Sequence, residues 1–391
     1  MPVTRALGGM VPDPATLPVA HETAIVRADG RPQPAFREEL RRIPSWRNAW
    51  SVVWVWVQAC LIVGAAVWWG NPVGYVLAFL LMGRTHAQLA ALMHEAAHRT
   101  LFANRWWNDF VGRWFVGFPE LTSTDAYRRV HMAHHRQEFG PDEPDIPLYA
   151  GYPIATDSFR RKLARDATGR TGAKLLRAQL RGLRSTDPRV RHTLWEILAV
   201  QALLFAAAIA GGVWWVYPVF WLLPYLTVWR VINRLRAIAE HGGMDASADR
   251  RLTTHSVRQS WAARSFLVPF HIGWHLAHHV DAGVSMRHLP RYHRALREAG
   301  YVDDGLEYRS YRALWRALRR GCSAGFTRRS LQEPSRLPNL WPWTSGCTTP
   351  GASSSWCSCS RPVHCCSQSI PATASPKGRA RPPVGAAEVR R

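Results

Sequence analysis

The sequence predicts an all-α integral membrane protein, with four transmembrane helices in two hairpins and a cytoplasmic helical cap that carries a set of histidines. Three observations predict it. Apolar runs long enough to cross a bilayer come in two pairs, each closed by a very short turn. Lys and Arg crowd the segments outside the pairs and are absent from the turns. Three histidine clusters with helical spacing all fall on the Lys/Arg-rich side.

The first pair begins with "WSVVWVWVQACLIVGAAVWWG" at 50–70, an uncharged run of the length that spans a bilayer core. "NP" at 71–72 makes the turn. "VGYVLAFLLMGRTHAQLAALM" runs back through 73–93, with Arg84, His86 and Gln88 in its second half. Polar groups inside a span face the protein interior or a wet cavity. The second pair lies at about 194–211 and 213–232, joined at Gly211 and Gly212. Trp residues at the hairpin ends suit an interfacial aromatic belt.

Charge sets the orientation. Arg37, Arg41, Arg42 and Arg47 precede the first span, and segment 94–192 holds seventeen Lys or Arg. The positive-inside rule then places both termini, segment 94–192 and everything after 233 in the cytoplasm. The net charge of +23 suits an anionic membrane surface. The apolar runs are too long for a soluble nucleic-acid-binding domain, so no nucleic-acid partner is expected. Residues 1–45 are polar and Pro-rich, without the apolar core of a signal peptide. Of seven cysteines only Cys60 and Cys322 precede residue 340, which excludes a disulfide framework from the main body. The expected organisation is a polar segment 1–45, a membrane domain 46–320 and a Ser-, Pro- and Cys-rich tail 321–391 without periodicity. The tail's Cys357, Cys359, His364, Cys365 and Cys366 match no trusted zinc spacing. An out-of-frame translation would also produce such a tail.

The clusters are "HEAAH" at 94–98, "HMAHH" at 131–135 and "HLAHH" at 275–279. His94 and His98 are i and i+4, so they share a helix face. His131, His134 and His135 are i, i+3 and i+4, and His275, His278 and His279 repeat that spacing. A single zinc takes three or four protein ligands, so eight imidazoles suit two ions. Imidazole suits iron, copper, nickel and zinc. Two irons with open positions can bind dioxygen, whereas zinc has no redox chemistry.

The order H-x-x-x-H, H-x-x-H-H, H-x-x-H-H, with spans between the second and third boxes, resembles the membrane fatty acid desaturase superfamily over roughly residues 45–305. "RLRAIAEHGG" at 234–243 and "LPRYHRAL" at 289–296 add to the likeness. The resemblance implies a ninth ligand, His241, and a histidine-bound di-iron centre that uses dioxygen to introduce a C=C bond into an acyl-lipid or acyl-thioester. It also implies a separate ferredoxin-like or haem electron donor, since no fused haem or iron–sulfur domain is visible. The third box departs from the pattern at Val280 and Asp281, where relatives carry an apolar pair before a proline. That departure bears on substrate subclass. Related membrane hydroxylases and carotenoid ketolases share the metal site and form the alternative.

Other features read more plainly. His86 lies eight residues before His94, and a hydrogen bond to Gln88 or a neighbouring helix accounts for it. Glu95, Asp145, Glu240 and Asp281 are near enough in sequence to take the second N–H of a ligand histidine, but each reads as an ordinary acid. "PDEPDIP" at 141–147 reads as a loop. The basic stretch 159–184 suits anionic lipid or the phosphates of a thioester carrier. "HEAAH" also fits the H-E-x-x-H of a zinc protease, with Glu95 as base. That reading leaves six histidines unexplained. A metal transporter would need ligands at mid-membrane depth, which four apolar spans do not offer.

Overall fold

The computed structural model describes residues 8–140 and 143–319. The tail expected at 321–391 lies outside the described residues.

Pro34 opens α1 (Pro34–Leu40), where its missing N–H costs nothing. The first long helix is α2 (Ser45–Trp69), which Gly70 ends in the left-handed conformation at φ 59°. Asn71 then caps α3 (Pro72–His98) by accepting from the Val73 N–H at 2.8 Å, with Pro72 at its first position. This is the turn expected at 71–72. One face of α2 buries Asn48, Val52, Val55, Ala59 and Ala66, while Trp50, Val53, Trp54, Val57 and Leu61 are exposed. An apolar surface of that extent needs lipid or a partner to cover it.

α3 changes character along its length. Val73, Val76, Leu77 and Leu80 near its start are exposed, whereas nearly every residue from Met82 to Ala97 is buried. Its inner end, with His94 and His98, therefore lies inside the protein. Gly83 permits the close crossing of a later helix, because a Cβ there would sit 2.3 Å from Val228 Cγ1.

After α3 come α4 (Arg105–Val111) and a π-helical turn at Gly112–Gly117. The chain then turns inward. Phe118, Glu120 and Leu121 are buried, with Leu121 at φ 54°. Gln201 Nε2 donates to the carbonyls of Phe118 and Pro119 at 2.7 and 3.1 Å, and Trp221 Nε1 donates to Pro119 at 3.2 Å. Nothing in the sequence reading anticipated that this part of segment 94–192 is wedged among the apolar helices.

α5 (Thr124–Arg136) starts from a Ser123 cap. A short α6 (Ile146–Tyr149) precedes the basic pair α7 (Thr156–Ala167) and α8 (Arg170–Leu180). That pair is tied down as well as charged: Asp166 at the end of α7 takes Arg234 and the Thr171 hydroxyl. α9 (Pro188–Ala210) buries only Leu194, Ile197 and Gln201.

Three segments are long and apolar enough to cross a membrane: Pro34–Trp69, Pro72–His98 and Pro188–Ala210. The fourth expected span, 213–232, is not one helix. It folds as a π-helical turn at Tyr217–Leu222, a short α10 (Leu223–Leu226), a break at Thr227 with φ −121° and ψ −83°, and then α11 (Val228–His241). Pro224 accounts for the interruption inside the run: it lacks an N–H, and its ring clashes with the carbonyl one turn earlier, whereas Pro218 falls in the first turn, where a proline is tolerated.

The rest of the chain closes the inner end. It contains α12 (Trp261–Phe266), α13 (His275–Val280), α14 (Leu289–Glu298) and α15 (Tyr311–Leu318), with a two-residue parallel pairing of Ser256–Val257 and Glu307–Tyr308. The N-terminal residues join the same core. Val26, Phe36 and Leu40 are buried in it, and the Tyr292 hydroxyl donates to Gly30 O at 2.8 Å.

Candidate metal centre

Three helices bring the histidine boxes together. α3 supplies His94 and His98 from its buried end, α5 supplies His131, His134 and His135, and α13 supplies His275, His278 and His279. α11 adds His241 as its last residue. All nine histidines singled out in the sequence thus meet at the inner end of α3.

They sort into two groups. His94, His98, His131, His135 and His278 each offer a ligand atom, all within 4.8 Å of one another. His98 and His135 are part-exposed, so this group is the open one. His134, Glu138, His241 and His279 form a second, wholly buried group on the same criterion. His275 joins it, its Nε2 lying 3.1 Å from His241 Nε2 and 3.0 Å from His279 Nε2.

The donor set fits metal ions. In the open group Nε2 faces Nε2 at 2.9 Å between His98 and His131, 3.1 Å between His131 and His135, and 3.0 Å between His135 and His278. Imidazole bonds to a metal at roughly 2.0–2.1 Å, so two rings at right angles on one ion have their nitrogens about 2.9 Å apart. Both ring nitrogens of His94 are buried with no protein partner. Burial is the largest influence holding His131, His135, His241, His275, His278 and His279 well below the ordinary histidine range. Neighbouring rings push the same way. These rings are therefore neutral, the form that ligates.

The closed group is braced by acceptors. His241 Nδ1 faces the Thr253 carbonyl at 3.0 Å, which can only accept, so this ring carries its proton on Nδ1 and turns its Nε2 lone pair inward. His134 Nδ1 lies 2.5 Å from Glu143 Oε1. Glu143 also receives the Tyr149 hydroxyl and the Phe139 N–H. Burial pushes His134 down, but the Glu143 hydrogen bond and charge, with Glu138 and Asp145, outweigh it and leave His134 raised. His275 Nδ1 is 3.6 Å from Glu240, which pairs with Arg236 at 2.7 Å.

Of the four acids considered from sequence, Glu240 approaches a box histidine most closely, and Glu95 Oε1 lies 3.9 Å from His94 Nδ1. Asp281 instead binds Arg37 of α1 at 2.5 Å and the Gly283 N–H at 3.0 Å, which gives the departure in the third box a structural role. Glu95 accepts from the Thr100 hydroxyl at 2.8 Å and the Met286 N–H at 3.1 Å. It is therefore held as a structural acceptor rather than left free as the base of a zinc protease. Glu138 and Glu143 escaped the sequence reading. The one available signal was their place just after the second box.

His86 stands apart. Its Nδ1 is 2.6 Å from Glu120 Oε2 and its Nε2 donates to the Trp221 carbonyl at 3.0 Å. It is fully satisfied by neighbouring segments, as its plain reading expected, although Gln88 is not the partner.

The fatty acid desaturase family model matches residues 66–312, well over half of the chain. The chain belongs to the fatty acid desaturase family. A dihydrorhizobitoxine desaturase of Bradyrhizobium elkanii is 27% identical over 244 residues, 58% of this chain and 68% of the relative. Shorter matches reach a Delta(5) fatty acid desaturase of Caenorhabditis elegans, 40% identical over 65 residues (16% of this chain, 14% of the relative), and a Delta(8)-fatty-acid desaturase of Euglena gracilis, 31% identical over 80 residues (19% of each). The protein is an oxidoreductase of desaturase type and a membrane protein, and its histidine groups fit metal ions.

Proposed function

We propose that this protein is a fatty acid desaturase that introduces a C=C bond into an acyl-lipid or acyl-thioester, using two iron ions and dioxygen. His94, His98, His131, His135 and His278 hold one iron; His134, His241, His275 and His279 hold the other. The observation that carries the reading is the division of nine buried or half-buried histidines into two adjacent groups, in which the Nε2 atoms of seven face one another at 2.9–3.1 Å. When bound and reduced, such an iron pair supplies dioxygen activation and hydrogen removal from an unactivated methylene.

The chain's own residues supply position. Glu143, Glu240 and the Thr253 carbonyl stand behind rings of the closed group and orient them. Burial keeps bulk water from that group. Electrons come from a separate ferredoxin-like or haem carrier, and both termini and the histidines lie on the cytoplasmic face. The Lys/Arg-rich segments support that orientation.

A second reading concerns substrate alone. The relative matched over 244 residues is named for dihydrorhizobitoxine, which favours including substrates outside the fatty acids. Hydroxylation or ketolation at the same centre is the alternative outcome.

Lipid profiling of cells expressing the chain, against a His135→Ala control, tests the reading. New unsaturated acyl chains in the first and none in the second are expected. Identical profiles with both proteins in the membrane would count against it. A hydroxylated product would redirect it.

A further inference from the structure

Glu138 follows α5 by two residues and is buried. Its Oε2 takes the Arg250 guanidinium, and its Oε1 accepts from the Thr254 hydroxyl at 3.2 Å. The same Oε1 lies 3.1 Å from His279 Nδ1 and 3.4 Å from His241 Nδ1. The Nε2 atoms of those two rings point elsewhere, toward His275. The carboxylate therefore stands behind the rings. A ligating oxygen would have to lie among the Nε2 atoms.

The two rings differ in support. His241 Nδ1 also has the Thr253 carbonyl at 3.0 Å. His279 Nδ1 has no aligned hydrogen bond among the described residues. Its contact with Glu138 is close in distance but off the hydrogen-bond line. Arg250 holds the far oxygen of the carboxylate, so Oε1 is the one turned toward the rings.

We propose that Glu138 is a positioning residue for the closed group: it holds the orientation and tautomer of His279, and with Thr253 those of His241, and so governs metal loading there while leaving the open group alone. The inference rests on the two-iron reading above. An imidazole whose Nδ1–H is held by a carboxylate presents its Nε2 lone pair at a fixed angle and binds metal more strongly. Losing such a partner weakens metal affinity by roughly 10- to 100-fold. In the open group His278 Nδ1 has no hydrogen-bond partner, and the nearest carboxylate oxygen to His94 Nδ1 is Glu95 Oε1 at 3.9 Å.

The test uses the full chain purified in detergent and loaded anaerobically with ferrous iron. Iron per chain is counted, and Mössbauer spectra separate the two sites. The wild type is expected to hold two irons. Glu138→Gln is expected to keep about one, with the open-group signal intact, and Glu138→Asp to restore part of the second. That remaining signal also reports that the variant is folded. Two irons with a wild-type spectrum in Glu138→Gln would overturn the proposal, as would loss of both irons in step. Should Glu138→Gln aggregate, Thr254→Val removes one brace only. A chelator should then strip one iron faster than the other, and uniform stripping would overturn the proposal. A wild type holding no iron, or one zinc, would sink the two-iron reading itself and is read separately.

Discussion

The two histidine groups share a donor type and differ in what stands behind it. The open group is five imidazoles that lie mainly against one another, and two of its rings are part-exposed. The closed group is wholly buried and backed by Glu138, Glu143, Glu240 and the Thr253 carbonyl. In one the rings define each other's positions; in the other the surrounding protein defines them. One motif, repeated, thus builds two sites of unequal rigidity, and four experiments bear on that contrast.

The largest effect is expected from removing a ligand on either side. His135→Ala and His279→Ala should each lower product formation by at least about 100-fold, since even outer partners of ligands cost 10- to 100-fold. If one variant retained most activity, the two groups would not act together. Next comes Glu143→Gln, which loosens His134. It should weaken iron binding by roughly 10- to 100-fold at the closed group only, read by titration with a chelator.

Acid gives a graded effect. The rings of His131, His135, His241, His275, His278 and His279 sit below the ordinary value of 6.5 because burial disfavours the charged form. Their contribution is intact above that value and is lost as pH falls beneath it, because the unfolded chain then binds the protons more readily. His134 is raised by its carboxylates, so its contribution is full below 6.5 and lost as pH climbs through its folded value. The carboxyls of Glu138, Asp145 and Glu240, raised by burial, act in the same sense as His134; the six depressed rings outnumber these four, and the metal-free protein should melt at lower temperature at about pH 5.5 than at about pH 7.5. A higher melting temperature in acid would show that these rings are not buried as described.

The smallest effect on metal is expected at His86. His86→Leu should leave iron content unchanged while destabilising the fold by roughly 3–5 kcal/mol, because Glu120 is left buried without its partner. A loss of iron would make His86 part of the centre.

Much of this was legible in the sequence. Spacing of three and four residues placed the box histidines on helix faces, and hydropathy found the three long helices. The partition of the nine was not legible. His134 and His135 are neighbours in sequence, yet a turn of about 100° between them sends one to each group, and only the crossing of α5 with α11 and α13 decides which. Glu138 and Glu143 lie past the end of α5, where helical periodicity says nothing. In 213–232, Pro224 was visible, but a hydropathy window does not weigh a missing N–H. The inward turn at 118–121 was masked by the basic residues around it, which read as a wholly aqueous segment.

The polar inner half of α3 has a consequence for how the chain is made. Released alone into lipid, this helix would carry Arg84, His86, His94 and Glu95 with it, and a charged group at the bilayer centre costs on the order of 2.5–3.5 kcal/mol. Relief reaches these groups in stages during synthesis. Gln58 of α2, already translated, accepts from Arg84 at 2.6 Å across a two-residue turn, so Arg84 has an acceptor as soon as α3 packs on α2. His86 waits for the Trp221 carbonyl, 135 residues further along. Until Trp221 is in place, the inner half of α3 holds a buried ring nitrogen without that acceptor.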